Sequence, residues 1–350
     1  MIWSQAANVK KMKKKILVTG GAGYVGAHTV YELSGAGYLP VIVDNLSRAD
    51  KTLLDGLQQL MGEEPIFYQG DCLDKVFLQA VFSEHQIAGV IHFAAYKAVG
   101  ESVERPLLYY RNNIDSLLTI LDVMKQNNVR NIIFSSSCTV YGQPDHVPVG
   151  ETAPMKRAES PYGATKQMSE RILEDAWVTG YRVISLRYFN PIGAHPSAFL
   201  GELPIGVPGN LVPFITQTAI GKREKLTVFG NDYNTPDGSN IRDFIHVVDL
   251  AKAHVRALAY LSEQASEAFY DVFNLGTGKG ASVLEVIHEF QRVTGVKFNF
   301  EIGKRRPGDV EKTFADPAKA NAKLGWKTEL TLAQALEDAW RWEQKLAAVR

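Results

Sequence analysis

Short apolar runs separated by amphipathic stretches recur through the first half of the chain. Ile16-Leu17-Val18, Val41-Ile42-Val43, Ile66-Phe67-Tyr68, Val90-Ile91-His92-Phe93, Asn131-Ile132-Ile133-Phe134 and Val183-Ile184-Ser185-Leu186 are mostly continuous rather than alternating, the pattern of strands covered on both faces. Between them lie helical patterns, from Tyr24 to about Ser34 and from Ile114 to Met124, the second with Asn112 and Asn113 just before it. Strand and helix in alternation predict an α/β fold, a doubly wound Rossmann parallel sheet, over residues 13–187. After Arg187 the texture changes: Asn190 to Pro213 holds five prolines and four glycines, too irregular for a regular element and too long for a plain connector, so it reads as a binding loop. Shorter elements follow, at Leu211 to Gly221, Thr227 to Phe229, Val247 to Leu261, Val272 to Asn274 and Val283 to Thr294. Residues 188–350 therefore predict a smaller C-terminal α/β lobe, with some segments returning to the first domain. Near the end Thr331 and Gln334 form a capping-box pattern, opening a helix with Leu332, Leu336, Ala339 and Trp340 on one face.

Composition narrows the class. With 350 residues, 45% hydrophobic and 22% charged, the chain can bury a large core. Lys plus Arg and Asp plus Glu number 38 each, so no net field favours nucleic acid or an acidic membrane. Cys72 and Cys138 are the only cysteines, too few for a disulfide framework or a metal site, and a reducing cytoplasm fits them. No stretch approaches the roughly 20 apolar residues of a membrane span. Met12 directly precedes Lys13-Lys14-Lys15-Ile16, so residues 1–12 are expected to be an upstream extension lacking order.

Candidate chemistry begins at Gly20-Gly21-Ala22-Gly23-Tyr24-Val25-Gly26, between a strand and a helix. Gly20, Gly23 and Gly26 allow a tight turn, approach of backbone to a pyrophosphate, and close packing of helix on strand; the helix amides then hold the phosphates. Asp44 ends the next strand eighteen residues beyond Gly26, placed to accept ribose hydroxyls and repel a 2′-phosphate; this favours NAD, with Arg48 nearby keeping NADP as the alternative. Asp71 is a candidate for the adenine amine or, equally, a helix cap. Small Ala94 and Ala95 let a cofactor lie against backbone, Lys97 is a candidate for phosphate or sugar, and His92 reads as core. Ser135-Ser136-Ser137 closes a strand at the same end of the sheet; Ser137 either relays a proton or satisfies loop amides. Tyr162 and Lys166, four apart on a helix, share a face. There a phenol with an ordinary pKa near ~10 becomes a usable base if the ammonium lowers it by roughly 1–3 units.

These motifs, with Arg187-Tyr188-Phe189-Asn190-Pro191, resemble the extended short-chain dehydrogenase/reductases over about Lys15 to Trp342. Lys97 to Ser102, Gly230-Asn231-Asp232-Tyr233, Arg242 to His246 and Arg305-Arg306-Pro307-Gly308-Asp309 resemble, more narrowly, the UDP-galactose 4-epimerase branch. The resemblance implies interconversion of UDP-glucose and UDP-galactose through a 4-keto sugar on tightly held NAD, with Ser137, Tyr162 and Lys166 catalytic. It also implies a cofactor site including Asn45, Cys72, Phe93, Asn113 and Tyr188. Asn113 would support Tyr162 and Lys166, although helix capping explains it as well. Asn190, Asn210, Leu211, Phe229, Arg242, Arg306 and Asp309 would hold the UDP-sugar, and a homodimer would form through the helices beginning near Asn113 and Tyr162. Dehydratases of this fold carry an Asp-Glu pair after the strand-end serine or threonine; here Cys138 and Thr139 stand there, which disfavours elimination and, likewise, decarboxylation. A binding module without turnover is the remaining alternative. Finally, Thr313 occupies the position that in this family borders the sugar's second carbon. A small residue there implies acceptance of N-acetylated UDP-sugars, unless Thr313 lies on an exposed strand edge.

Overall fold

The computed structural model describes residues 13–306 and 309–349; the extension expected at 1–12 lies outside the described residues. Its centre is a seven-stranded parallel sheet in the order β11-β6-β5-β4-β1-β2-β3. The first six strands in the chain are β1 (Lys15–Thr19), β2 (Leu39–Asp44), β3 (Ile66–Gln69), β4 (Ile87–His92), β5 (Asn131–Ser137) and β6 (Arg182–Tyr188). The smaller strands are β7 (Asn190–Ile192), β8 (Leu226–Phe229), β9 (Ile241–Arg242) and β10 (Phe244–His246), after which β11 (Phe269–Leu275) returns to the large sheet beside β6. The last are β12 (Ala281–Ser282), β13 (Phe300–Gly303) and β14 (Lys312–Thr313).

Successive side chains of each central strand enter different cores, which is why the runs are continuously apolar. Ile16, Val18, Ile42, Ile133 and Ile184 face a cluster covered by α1 (Tyr24–Gly35), α2 (Thr52–Met61) and, from later in the chain, a long helix at Val247–Glu263. Leu17, Val41, Val43, Ile132 and Val183 face the opposite cluster. That side is covered by α3 (Lys75–Glu84), by α6 (Ser116–Gln126), which follows the short α4 (Val99–Glu104) and α5 (Pro106–Tyr110), and by α7 (Pro161–Trp177). Emptying one such position, as in Leu17→Ala, costs about 2–5 kcal/mol.

The second lobe packs α8 (Leu211–Ala219), β8, β10 and α10 (Val283–Thr294), the latter following the long helix, now α9 (Val247–Glu263), around a third cluster. After α11 (Ala318–Leu324), α12 (Leu332–Val349) closes the fold: Leu336 and Ala339 enter the third cluster while Trp342 and Leu346 enter the first. The capping box is formed, the Thr331 hydroxyl accepting from the Gln334 amide at 3.2 Å and the Gln334 side chain accepting from the Thr331 amide at 2.8 Å.

The segment from Asn190 to Pro213 is less irregular than its composition suggests. Asn190–Ile192 pairs in parallel with Phe244–His246, and Ala194 bridges Gly201. Pro191 is tolerated because this sheet has only two strands, so the missing donor faces no second neighbour. No helix among the described residues is long and apolar enough to cross a membrane, and none of their His, Cys, Asp and Glu side chains cluster as a metal site.

Candidate active site

β1 lies between β2 and β4, so the direction of winding reverses there and a crevice opens beyond the carboxyl ends of β1 and β4. The glycine turn occupies it. Gly20 has φ +69°, and a Cβ there would meet the Ala94 amide nitrogen at 2.8 Å; one at Gly26 would meet the Gly20 carbonyl oxygen at 2.2 Å. Gly23 precedes α1 without a side-chain cap, so amides of the first turn at Tyr24, Val25 and Gly26 keep their affinity for an anion. Asp44 accepts from the Ala22 amide at 3.2 Å and the Leu46 amide at 2.9 Å, and burial raises its carboxyl pKa. Each of its oxygens retains acceptor capacity for a hydroxyl. Arg48 is drawn to Glu101 at 2.6 Å and stacks over Tyr96. A backbone cradle that admits no side chain, beside a carboxylate with free lone pairs, fits a dinucleotide.

Several expectations resolve here. Asp71 does not cap α3: it accepts from Leu73 and from the Asn45 side chain at 2.9 Å, while Asp74 caps the helix through Val76 and Phe77. Cys72 is buried with its thiol pKa pushed up, and His92 is a core residue bonded to Thr19 at 2.7 Å, its pKa pushed down to about 3 by burial. Phe93 packs on His254, 4.7 Å between rings, and the Ala94-Ala95 backbone continues along the crevice from β4. Asn113 is not a cap. It sits buried in a π-helical turn, Arg111–Asp115, that joins α5 to α6; its amide donates to Thr165 at 3.1 Å and to the Tyr96 carbonyl at 3.0 Å. The wider turn carries its side chain towards α7, and the preceding helix supplies the backbone continuity that a cap would otherwise begin.

Ser160 caps α7, accepting from the Gly163 amide at 3.2 Å, and Pro161 occupies the first turn, where its missing donor costs nothing. The helix then lays Tyr162 and Lys166 against the end of β5. Lys166 is 3% exposed; its ammonium donates to the Ser135 carbonyl at 2.6 Å and lies 5.9 Å from the Tyr162 ring centre and 4.8 Å from that of Phe134. Ser135 also bonds Tyr188, and Ser137 accepts from the Thr139 amide at 3.2 Å. In the chain alone Lys166 does not lower the phenol of Tyr162. Burial outweighs it, holding Tyr162 above the ordinary tyrosine range, with Tyr188 adding to the rise and Ser137 opposing it. Burial likewise pulls Lys166 down to about 7, against Glu170. The pair is desolvated together, so activation needs a further positive charge.

Across the crevice, β9 and β14 place Thr313 directly beside Arg242; β14 is an edge strand of its three-stranded sheet, pairing with β9 alone, yet Thr313 on it is buried rather than exposed. Asp309 lies 2.7 Å from Arg306 and 4.0 Å from Arg242, and Arg306 covers the Phe229 ring at 5.6 Å. The side-chain oxygen of Asn190 is buried without a partner, an acceptor awaiting a donor. Lys97 and Asn210 converge elsewhere: both donate to one oxygen of Glu202, at 3.1 and 2.5 Å, and Leu211 begins α8 just beyond. Glu202 escaped the sequence reading because nothing local marks it. Glu170, by contrast, repeats the four-residue spacing of Tyr162 and Lys166 once more.

This geometry defines a class, that of the extended short-chain dehydrogenase/reductases. A family model described as GDP-mannose 4,6 dehydratase matches residues 17–339. Individual relatives are narrower in kind. The UDP-glucose 4-epimerase of Yersinia enterocolitica is 50% identical over 331 residues, 94% of this chain and 97% of that protein. The structure of UDP-glucose 4-epimerase from Stenotrophomonas maltophila, with bound NAD and formylated UDP-arabinopyranose, superposes with a TM-score of 0.93 at 44% identity, covering 96% of this chain and all of that one (100%). The Bifidobacterium longum enzyme, in complex with NAD+ and UDP, gives 0.91 at 45% identity over 95% and 98% of the two chains. The chain belongs to the UDP-glucose 4-epimerase family within the extended short-chain dehydrogenase/reductases.

Proposed function

We infer that this chain is an NAD-dependent isomerase that interconverts UDP-glucose and UDP-galactose by inverting sugar C4. The observation that carries the reading is the arrangement across one crevice of the glycine cradle, the buried Tyr162–Lys166 pair, and the Arg242, Arg306 and Asp309 group. Bound in the cradle, NAD supplies a reversible hydride acceptor and a positive ring for C4. Gly20, Gly23 and Gly26 with the α1 amides hold its pyrophosphate, and Asp44 its adenosine ribose. Arg242 and Arg306 pair with the diphosphate of the substrate, Asp309 accepts the uridine ribose hydroxyls, and Asn190 uses its free acceptor on the same ligand. Tyr162 takes the 4-hydroxyl proton, with Ser137 passing it between sugar and phenol, while Lys166 keeps positive charge near the phenolate. C4 becomes a ketone, the sugar presents its other face, and Tyr162 returns the proton as C4 is reduced. The two half-reactions cancel, so free NADH does not accumulate. Elimination of water is disfavoured: the turn after β5, Cys138–Tyr141, offers no carboxylate at Cys138 or Thr139.

Incubation with UDP-galactose and no added cofactor tests this. UDP-glucose is the expected product; a dehydrated keto-sugar, or none, overturns the reading.

A broader substrate range rests on one contact. Thr313 beside Arg242 is far smaller than an aromatic residue, leaving room for an N-acetyl group on the second sugar carbon, so UDP-GlcNAc and UDP-GalNAc are interconverted as well. For assembly, the exposed apolar side chains of Leu107, Leu118 and Met168 on α5, α6 and α7 favour a homodimer through these helices, and a cytoplasmic setting suits the two free thiols.

A further inference from the structure

The strand-end serines each answer one turn of α7. Ser137 lies by Tyr162, Ser135 receives Lys166 through its carbonyl, and the Ser136 hydroxyl donates to Glu170. Glu170, 1% exposed, is bound twice over by Arg187, at 2.9 Å through Nε and 2.5 Å through a terminal nitrogen; Arg187 is itself 5% exposed. Arg187 stands beside Ser136 in the register of β5 and β6 and donates to the Tyr141 hydroxyl at 2.9 Å, which in turn donates to Asn274 on β11 at 2.7 Å. Two opposite charges have thus been taken wholly out of water directly behind the crevice, in the element that carries the proton chemistry. Replacing such a pair by apolar groups is often neutral or stabilising, so stability alone gives little reason for it.

We propose that the Glu170–Arg187 pair is a positioning device for Lys166, locking α7 in register on β5 and holding the ammonium charged behind Tyr162. Resting on the role of Tyr162 and Lys166 given above, this deepens that reading. Among the described residues, Glu170 is the one acidic group that acts on Lys166. Its own helix adds Tyr162; β5 adds the Phe134 ring and the Ser135 carbonyl; β4 adds His92, which is neutral; Tyr188, Cys138 and Tyr109, all neutral, surround the Tyr162 phenol, and Arg187 with Tyr141 stands behind Glu170. The negative charge of Glu170 acts on Lys166 against its burial, and Arg187 fixes how much of that charge is felt.

The test is the pH dependence of kcat and KM with UDP-galactose on the NAD-loaded protein. Glu170→Gln leaves Arg187 as an unopposed cation and is expected to move the alkaline limb of kcat down by roughly 1 unit, while Arg187→Gln frees the carboxylate and moves it up. KM changes little in both. Should a lone buried charge prevent folding of either, Glu170→Asp keeps the charge on a shorter arm: its limb stays in place and kcat falls several-fold as α7 loses its register. An unmoved limb in the Gln variants, shifts of the same sign in both, or full kcat in Glu170→Asp overturns the inference. Full activity in Tyr162→Phe would instead remove the underlying reading, so the two failures are told apart.

Discussion

Tyr162 and Lys166 stand one helical turn apart, and their separation from water decides what they do. Burial raises the phenol above its ordinary range and pulls the ammonium down to about 7, so a phenolate at neutral pH calls for a further positive charge beside the pair. Tyr162→Phe is expected to keep UDP and NAD binding close to wild type and to lower kcat by about 10²–10⁴-fold, the scale of a lost acid/base group; steady-state kinetics with calorimetric titration of UDP measures both. At the other end of the crevice, the role proposed for Asp44 requires that Asp44→Ala raise the relative affinity for NADP; an unchanged preference would mean that Asp44 does not meet the ribose. Thr313→Tyr is expected to abolish turnover of UDP-GlcNAc while sparing UDP-galactose, and equal loss of both would refute the gate. That Tyr162 and Lys166 share a helix face and that Asp44 ends the strand after the glycine turn was legible in their types and spacings. Whether Lys166 or burial governs Tyr162 was not, since spacing carries no information about desolvation.

The turn from β1 into α1 illustrates how much an element constrains its residues. At Gly26 the obstacle to a Cβ is the Gly20 carbonyl, backbone 2.2 Å away that cannot rotate aside. Gly26→Ala should therefore displace α1 from β1, and NAD released on denaturing the purified variant should fall far below one equivalent; full retention would show that the turn yields more easily than its contacts imply. At α12, Thr331→Ala removes a cap at a cost of about 1 kcal/mol, visible as a lower melting temperature with activity kept at room temperature. The strands, the glycine turn and this cap follow from short-range pattern. The π-turn at Arg111–Asp115 and the pairing of β7 with β10 do not, because each exists only through a partner far along the chain.

Three of the five buried histidines are held far below the ordinary imidazole range. His28 and His92 are pushed down to about 3 and His254 to about 4, in each case first by burial. An unfolded histidine binds its proton near pH 6.5, so below that pH the unfolded chain takes up protons the native one refuses, and stability falls as pH drops towards 4. Thermal melts between pH 7 and 4.5 should show a progressive fall in Tm; a flat profile would contradict the burial of these rings. Over the same scale the division between sequence and tertiary structure becomes plain. Continuous apolar runs determined the parallel sheet, because a strand covered on both faces has no polar face to show. The placement of Gly20, Gly23 and Gly26 in the turn, of Asp44 at a strand end, and of Tyr162 with Lys166 on one helix face was legible because each depends on residue type and spacing along a short stretch of chain. What only the tertiary structure decided are the meetings of distant segments. Glu202 draws Lys97 and Asn210 to one oxygen, Thr313 is buried beside Arg242, and Arg187 meets Glu170 behind Lys166. These depend on packing and on the removal of water, and no local pattern records which charges will be sealed together.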